Sequence, residues 1–489
     1  MANNYYQRVA PYRAKVVEPI QLLSEEERKE KIAEAGYNVL LLRSKDVFMD
    51  LFTDSGTSAM SANQWAGMMI GDEAYAGAES FYALQSAVKD IFGYKYVLPA
   101  HQGRAAQNLL YHAVVKKDKY TLSNTYYGGD IVETIGGITV NLASDAAYDL
   151  SVDQPFKGDI DLDLLKEAIN KLGSENITSM VPVVTNNLAG GHPMSMNNLR
   201  MVRKICQANG IPLYLDGCRI AENAFFIKES EEGYQDKSIK AIIHEMASYS
   251  DGCLVSGKKD GLCGIGGFVA TNDEAVYLDM LPLLISIEGF TTCGGMSGRD
   301  MEALARGLYE ACDEAYLSYR VQQVRQLAGE LSDLGVPIVK PYSGSSVYID
   351  AKRFMEHMPF TNYRAESLAA AAYIEGGIRV SPFGQLMSGH STASDEQIED
   401  KFDFLKRGVF ANRENVSGKE VEAKYEFVRL AIPRRVYSQA HLDVVRDIIY
   451  EVYRDRHNIS GLKIVSQPRY YRFFSATMAP AAEPFWSRS

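Results

Sequence analysis

Between about residues 57 and 310, short apolar runs alternate with longer stretches whose hydrophobic positions recur at helical spacing. The short runs predict strands at 94–98, 178–184, 211–215, 252–255 and 266–270. The longer stretches predict helices, among them 197–208 and 237–247. This alternation predicts an α/β fold with a mixed, mostly parallel sheet covered by helices. Ligands of such sheets bind beyond the carboxyl ends of the strands. Polar residues that directly follow a strand are therefore the first candidates for chemistry.

The flanking segments read differently. Residues up to about 20 predict an extended arm, and Ser24-Glu-Glu-Glu27 is a capping box opening a charged helix that ends near Gly36. A long helix is predicted from Gly298 through Arg325, leading into a smaller α/β domain with strands at 336–340, 346–350 and 427–431. Residues 385–424 are polar and charged, with few strand or helix signals, and predict an insertion loop. The expected division is 1–56 as an N-terminal arm with part of the small domain, 57–310 as the large ligand-binding domain, and 311–489 as the small domain.

Composition narrows the class. A chain of 489 residues suits two or three domains, at roughly 100–200 residues each. With 46% hydrophobic and 23% charged residues it reads as globular, not disordered. The net charge of -11 opposes non-specific binding to nucleic acid or anionic lipid. Met1 to Arg8 has no apolar core of a secretory signal, and no apolar run approaches the roughly 18–20 residues that span a bilayer. The six cysteines form no CxxC pair, which predicts reduced thiols and a cytoplasmic protein. There is no HExxH and no histidine cluster, so no transition-metal site is expected.

The candidate chemistry follows the predicted strands. Lys258 and Lys259 follow the strand near 252–255, Asp216 ends the strand near 211–215, and Arg219 lies three residues on. That order suits a pyridoxal phosphate (PLP) site: a lysine to hold the cofactor and a carboxylate to hold the proton of its ring nitrogen. Arg219 would bond the ring's phenolic oxygen. The bland alternatives are a surface Lys-Lys pair, a helix-capping aspartate and a solvated arginine. His101-Gln-Gly-Arg104 joins a strand to a helix, where Gly103 lets the backbone approach a phosphate and Gln102 and Arg104 add donors. An ordinary turn is the alternative there. Ser256 would add a phosphate contact. Tyr75, in a glycine-flanked loop, could protonate a leaving group, or simply pack. Arg429, on an apolar strand, needs a partner, and a substrate carboxylate would serve.

The segments Leu51-Phe-Thr-Asp-Ser-Gly-Thr57, Gly71-Asp-Glu-Ala-Tyr-Ala-Gly77, His101-Gln-Gly-Arg104, Asn187-Leu-Ala-Gly-Gly191, Glu222 to Lys228, Ser256-Gly-Lys-Lys-Asp260, Gly298 to Glu302, Ile432 to Tyr437 and Arg472 to Ala476 resemble the β-eliminating lyases, the group of tyrosine phenol-lyase and tryptophanase. The resemblance runs from about residue 16 to 477 and is nearer to the phenol-lyases. It implies the aspartate-aminotransferase-like fold (fold type I) and a PLP-dependent lyase that gives pyruvate and ammonia from a β-substituted L-amino acid. It implies PLP on Lys259 and a phosphate site of Gln102, Gly103, Arg104, Ser256 and Lys258. Asp216, Arg219 and Asn187 would hold the ring, with Tyr127 stacked on it. Thr53, Ser55, Asn187 and Arg429 would grip the amino-acid end of the substrate, and Tyr75 would act as general acid. A K+ ion at Gly56, Glu73 and Gly264, and a homotetramer built from dimers with shared sites, are also implied.

The side-chain half of the site departs from the family. Phe383 stands where the phenol-lyases have a phenol-recognising arginine, and Gly128, Leu40 and Cys293 replace a threonine, a phenylalanine and a tyrosine. The histidine that marks tryptophanase is Phe473 here, as in the phenol-lyases. Losing a charged partner for the phenol predicts a substrate other than tyrosine or tryptophan. Tyrosine cleavage proper, another PLP outcome (β-replacement, γ-elimination, retro-aldol cleavage or transamination) and a non-catalytic binding protein are the alternatives.

Overall fold

The computed structural model describes residues 9–125, 129–150, 152–187, 190–388, 390–391, 419–420, 422–423, 425–468 and 471–487. The chain divides into two compact units. The larger comprises residues 1–11, 54–321 and 433–436, and the smaller residues 12–53, 322–432 and 437–489.

Among the described residues, the larger unit is built on seven strands. Their spatial order is Ile138–Asn141, Tyr120–Ser123, Ile177–Met180, Tyr214–Asp216, Gly252–Ser256, Gly267–Thr271 and Tyr96–Ala100. Parallel bridges from Met180 to Leu213 and from Val183 to Asp216 join the first three strands to the other four. Gly267–Thr271 runs antiparallel to both of its neighbours, and the other paired strands of this unit are parallel. The fold is therefore α/β with a mixed, mostly parallel sheet. Its central strands are buried on both faces, which is why they read as continuous apolar runs instead of alternating ones. Serines at helix starts mark the turns: Ser195 caps Met196–Ala208, Ser238 caps Ile239–Ser248 and Ser297 caps Gly298–Glu310.

The smaller unit carries a four-stranded sheet in the order Met49–Leu51, Ile378–Phe383, Phe427–Ala431 and Ser346–Asp350. The first pair is parallel and the others antiparallel. The helix Arg364–Gly376 is buried along nearly its whole length, and its run of alanines lets it lie close to the sheet. A second helix, Gln439–Arg454, packs on it.

Several sequence expectations shift. The single helix from Gly298 to Arg325 is two, Gly298–Glu310 and Glu314–Asp333. Asp313 turns its carboxylate back onto the Tyr316 amide at 2.7 Å and starts the second one afresh. Residues 336–340 form no strand, only an isolated bridge from Ile338 to Ile349. The strands Tyr120–Ser123 and Ile138–Asn141 went unpredicted; each is four residues long and mixes threonine or asparagine with its apolar positions. Of the expected insertion, residues 392–418 lie outside the described residues. Its edges are structured: Gln385–Ser388 is a short helix, and 390–391 pairs with 419–420. The buried guanidinium of Arg472 ties these edges together through Gln385 O, Leu386 O and Glu420. Among the described residues no helix is long and apolar enough to cross a membrane.

Candidate active site

In the larger unit, the predicted cofactor residues gather at the carboxyl ends of neighbouring strands. Asp216 closes one strand and is buried. Its Oδ1 accepts the Cys218 amide at 3.2 Å, while its Oδ2 is buried with no hydrogen-bond partner in reach among the described residues. Burial pushes its carboxyl pKa up; the Cys218 hydrogen bonds and the charges of Lys259 and Arg219 pull the other way. Asp216 does not cap the following helix, since Arg219 holds that position.

The next strand, Gly252–Ser256, runs into the turn that carries both lysines. Lys258 and Lys259 are half-buried, so they are not a solvated surface pair. The Lys259 amide bonds Ser256 O at 3.3 Å, and the Gly56 amide bonds Lys258 O at 2.7 Å. Desolvation, then the neighbouring Lys259, lowers the pKa of Lys258.

The strand Tyr96–Ala100 leads through His101 and Gln102 into the helix Gly103–Val114. Gly103 faces Ser256 so closely that a Cβ there would lie 2.4 Å from the Ser256 Cβ, which explains the glycine. Arg104 reaches both carboxylate oxygens of Asp130 at 2.8 Å. Asn187 is half-buried in the loop after the strand Ile177–Met180. Tyr127 and Gly128 lie outside the described residues.

Arg219 is buried, which rules out the solvated reading. Its guanidinium forms a two-pronged pair with Asp54, at 3.0 and 2.6 Å. Burial opposes that charge, but Asp54 outweighs it and raises the arginine's pKa. Asp54, Glu222, Asp260 and Arg434 fall within the segments that resemble the family, but local sequence assigns none of them a role. The structure brings all four together with Arg219. The available signal was charged residues inside otherwise apolar segments.

Other candidates lie on loops of the same unit. Tyr75 is 72% exposed and stacks on Phe290 at 5.5 Å. Cys293 belongs to that loop, with its thiol on Phe290 O at 3.3 Å. Gly56 has φ +77°, and a Cβ there would lie 3.0 Å from the Gly264 carbonyl oxygen. Glu73 is exposed and pairs with Arg299 at 2.9 Å. Ser55 is half-buried beside Asp54. No group of three or more His, Cys, Asp or Glu side chains suited to a metal ion occurs among the described residues.

In the smaller unit, Arg429 is buried on the strand Phe427–Ala431. It donates to Phe52 O at 3.1 Å, and its guanidinium lies 4.6 Å from the centre of the Phe383 ring. Phe473 stacks between Phe383 and Phe52, 6.5 Å from each. Leu40 is half-buried, with its amide on Asn38, whose side chain reaches Phe473 O. Thr53 is half-buried, one residue past Phe52.

The orphaned oxygen of Asp216 is a test of fit for the cofactor. A buried carboxylate oxygen without a partner is costly, and a protonated pyridine nitrogen is the partner it lacks. With Lys259 near enough for its charge to act on Asp216, and with the tight Gly103–Ser256 approach, the residues fit PLP. The class of protein is thus an α/β enzyme of the PLP-dependent fold-type I group. Comparison with known proteins narrows it: the model of the beta-eliminating lyase family matches residues 50–448, and the chain belongs to that family. It is 45% identical over 469 residues to the tyrosine phenol-lyase of Clostridium tetani (strain Massachusetts / E88), covering 95% of this chain and 97% of the relative. The tyrosine phenol-lyase of Symbiobacterium sp. (strain SC-1) is 44% identical over 473 residues, with 96% and 98% covered. The tryptophanase of Salinibacter ruber (strain DSM 13855 / M31) is 43% identical over 476 residues, with 97% and 96% covered.

Proposed function

We propose that this β-eliminating lyase acts on a β-substituted L-amino acid other than tyrosine or tryptophan and releases pyruvate and ammonia. The observation that carries the reading is Phe383. Its ring lies under the Arg429 guanidinium and stacks on Phe473, so this position offers an apolar face and no donor to a phenol oxygen. An apolar pocket disfavours a substrate that carries a hydroxyl by about 10²-fold, which sets the expected handicap of tyrosine here. Tyrosine cleavage is the second reading, favoured by the 44–45% identity to enzymes of that name.

In this account Lys259 holds the cofactor, Asp216 holds the proton on its ring nitrogen, and Arg219 and Asn187 hold the ring oxygen. Gln102, Gly103, Arg104, Ser256 and Lys258 hold the phosphate. When bound, PLP supplies the electron sink that makes breaking the α-C–H bond feasible. Arg429, with Thr53, Ser55 and Asn187, fixes the substrate's amino-acid end. Once the substrate's amino group has displaced it from the cofactor, the freed Lys259 Nζ would take the α-proton, and the Tyr75 hydroxyl would give a proton to the departing group. Phe383, Phe473, Leu40 and Cys293 shape the space for the side chain. K+ binds at the Gly56 and Gly264 carbonyls with Glu73; the close approach of those two glycines supports it. The chain works as a homotetramer, which the exposed Met69 and Ile70 of one helix support; light scattering tests this.

Steady-state assays with tyrosine, tryptophan and S-alkyl cysteines, scored by pyruvate and ammonia, test the substrate. Turnover of an S-alkyl cysteine at least a hundredfold above tyrosine is expected. Comparable or better turnover of tyrosine establishes the second reading instead. Retention of the nitrogen in a new amino acid would indicate replacement chemistry.

A further inference from the structure

Six charged side chains are buried together in the larger unit: Asp54, Arg219, Glu222, Asp260, Arg320 and Arg434. Arg434 is at their centre. Its Nη1 donates to Asp54 Oδ2 at 2.9 Å and Asp54 O at 3.2 Å. Its Nη2 donates to Glu222 Oε1 at 2.8 Å and Asp260 Oδ1 at 3.1 Å. Arg320 approaches Glu222 at 3.5 Å, and Tyr316 also faces the cluster. Three cations thus meet three carboxylates.

The carboxylates that Arg434 bridges belong to three separate segments. Asp54 precedes Ser55 and carries the two-pronged pair with Arg219. Glu222 lies three residues after Arg219. Asp260 directly follows Lys259, and its other oxygen accepts the amides of Ala221 at 2.8 Å and Glu222 at 3.4 Å, at the start of the helix that follows Arg219. One planar fork therefore locks together the segments bearing Arg219 and Lys259. A lysine, with a single point of charge, cannot satisfy four acceptors in that geometry.

Buried ion pairs contribute little net stability compared with apolar packing, so their use here points to orientation. The charge matters as well. Asp54 alone would neutralise Arg219. By taking part of the charge of Asp54, Arg434 leaves Arg219 with positive potential to spend on a neighbour. We propose that Arg434 is a positioning residue for the cofactor: through Asp54 it sets the place and effective charge of Arg219, and through Asp260 it fixes the turn that carries Lys259. This rests on the reading that Lys259 holds PLP and Arg219 faces the ring oxygen.

The test is the pH midpoint of the visible absorbance of the bound cofactor in the wild type, Arg434→Lys and Arg434→Gln, with thermal unfolding of each. A cation at the ring oxygen favours the deprotonated form. Weakening it is expected to raise the midpoint by about one pH unit in Arg434→Gln, and by less in Arg434→Lys. A purely structural role would lower the unfolding temperature and leave the midpoint of cofactor-loaded protein where it was, which would overturn the inference. Arg434→Lys, which keeps the charge balance, decides alone if Arg434→Gln does not fold. Wild-type protein with no cofactor absorbance overturns the functional reading, and the inference with it.

Discussion

Asp216→Asn separates what the site does for the fold from what it does for the cofactor. In the wild type the Oδ2 atom is buried with no partner among the described residues, and burial raises the pKa of the group. An unsatisfied buried polar group costs about 1–3 kcal/mol, more when charged. Asparagine keeps an oxygen for the Cys218 amide and removes the charge. The cofactor-free variant is therefore expected to be as stable as the wild type, or about 1 kcal/mol more so. The loaded protein should behave in the opposite way. A charge-assisted hydrogen bond contributes roughly 1.5–3 kcal/mol, so losing it should weaken cofactor binding by about 10–150-fold. Thermal or urea unfolding of both forms, with an absorbance titration of PLP, measures both halves. If the cofactor-free variant lost more than about 1 kcal/mol while its PLP affinity matched the wild type, Asp216 would be a structural acid and the assignment would be wrong.

Other outcomes follow from the same structure. Gly103→Ala places a Cβ 2.4 Å from that of Ser256; it should cost about 1–3 kcal/mol in stability and weaken PLP affinity, measured by unfolding and titration. Tyr75→Phe should lower kcat by roughly 100-fold or more for substrates whose leaving group needs a proton, and far less for those releasing a thiolate; equal losses for both would remove it as general acid. Glu366 is buried, and burial followed by the charge of Glu426 raises its pKa to about 8. An acid raised on folding binds a proton that the unfolded chain has already released, so its contribution falls as pH rises from the ordinary carboxylate range towards 8. Glu366→Gln should therefore flatten the decline in unfolding free energy over that range, with its largest gain near pH 8; an unchanged slope would contradict the shift.

The strands legible in the sequence were those buried on both faces, such as Gly252–Ser256 and Gly267–Thr271, because their apolar runs are unbroken. Ser346–Asp350 and Phe427–Ala431 were legible as well. Tyr120–Ser123 and Ile138–Asn141 were not, since polar residues break their apolar runs: Ser123 is satisfied across the sheet by Val181 O, and Asn141 by the local Ala143 amide. Asp216 and Lys259 could be read locally, as each follows its own strand. The partners of Arg219 could not. Asp54 and Arg434 are distant in sequence and meet only in the folded chain. The stack of Phe52, Phe383 and Phe473 is likewise assembled from three separate segments.

The central claim is a covalent link between PLP and one particular lysine. Reduction of the loaded protein with borohydride, followed by proteolysis and peptide mapping, reads that link directly. The expected result is a pyridoxyl group on Lys259 and none on Lys258. A label on Lys258 alone, on a lysine outside this turn, or on no lysine would contradict it.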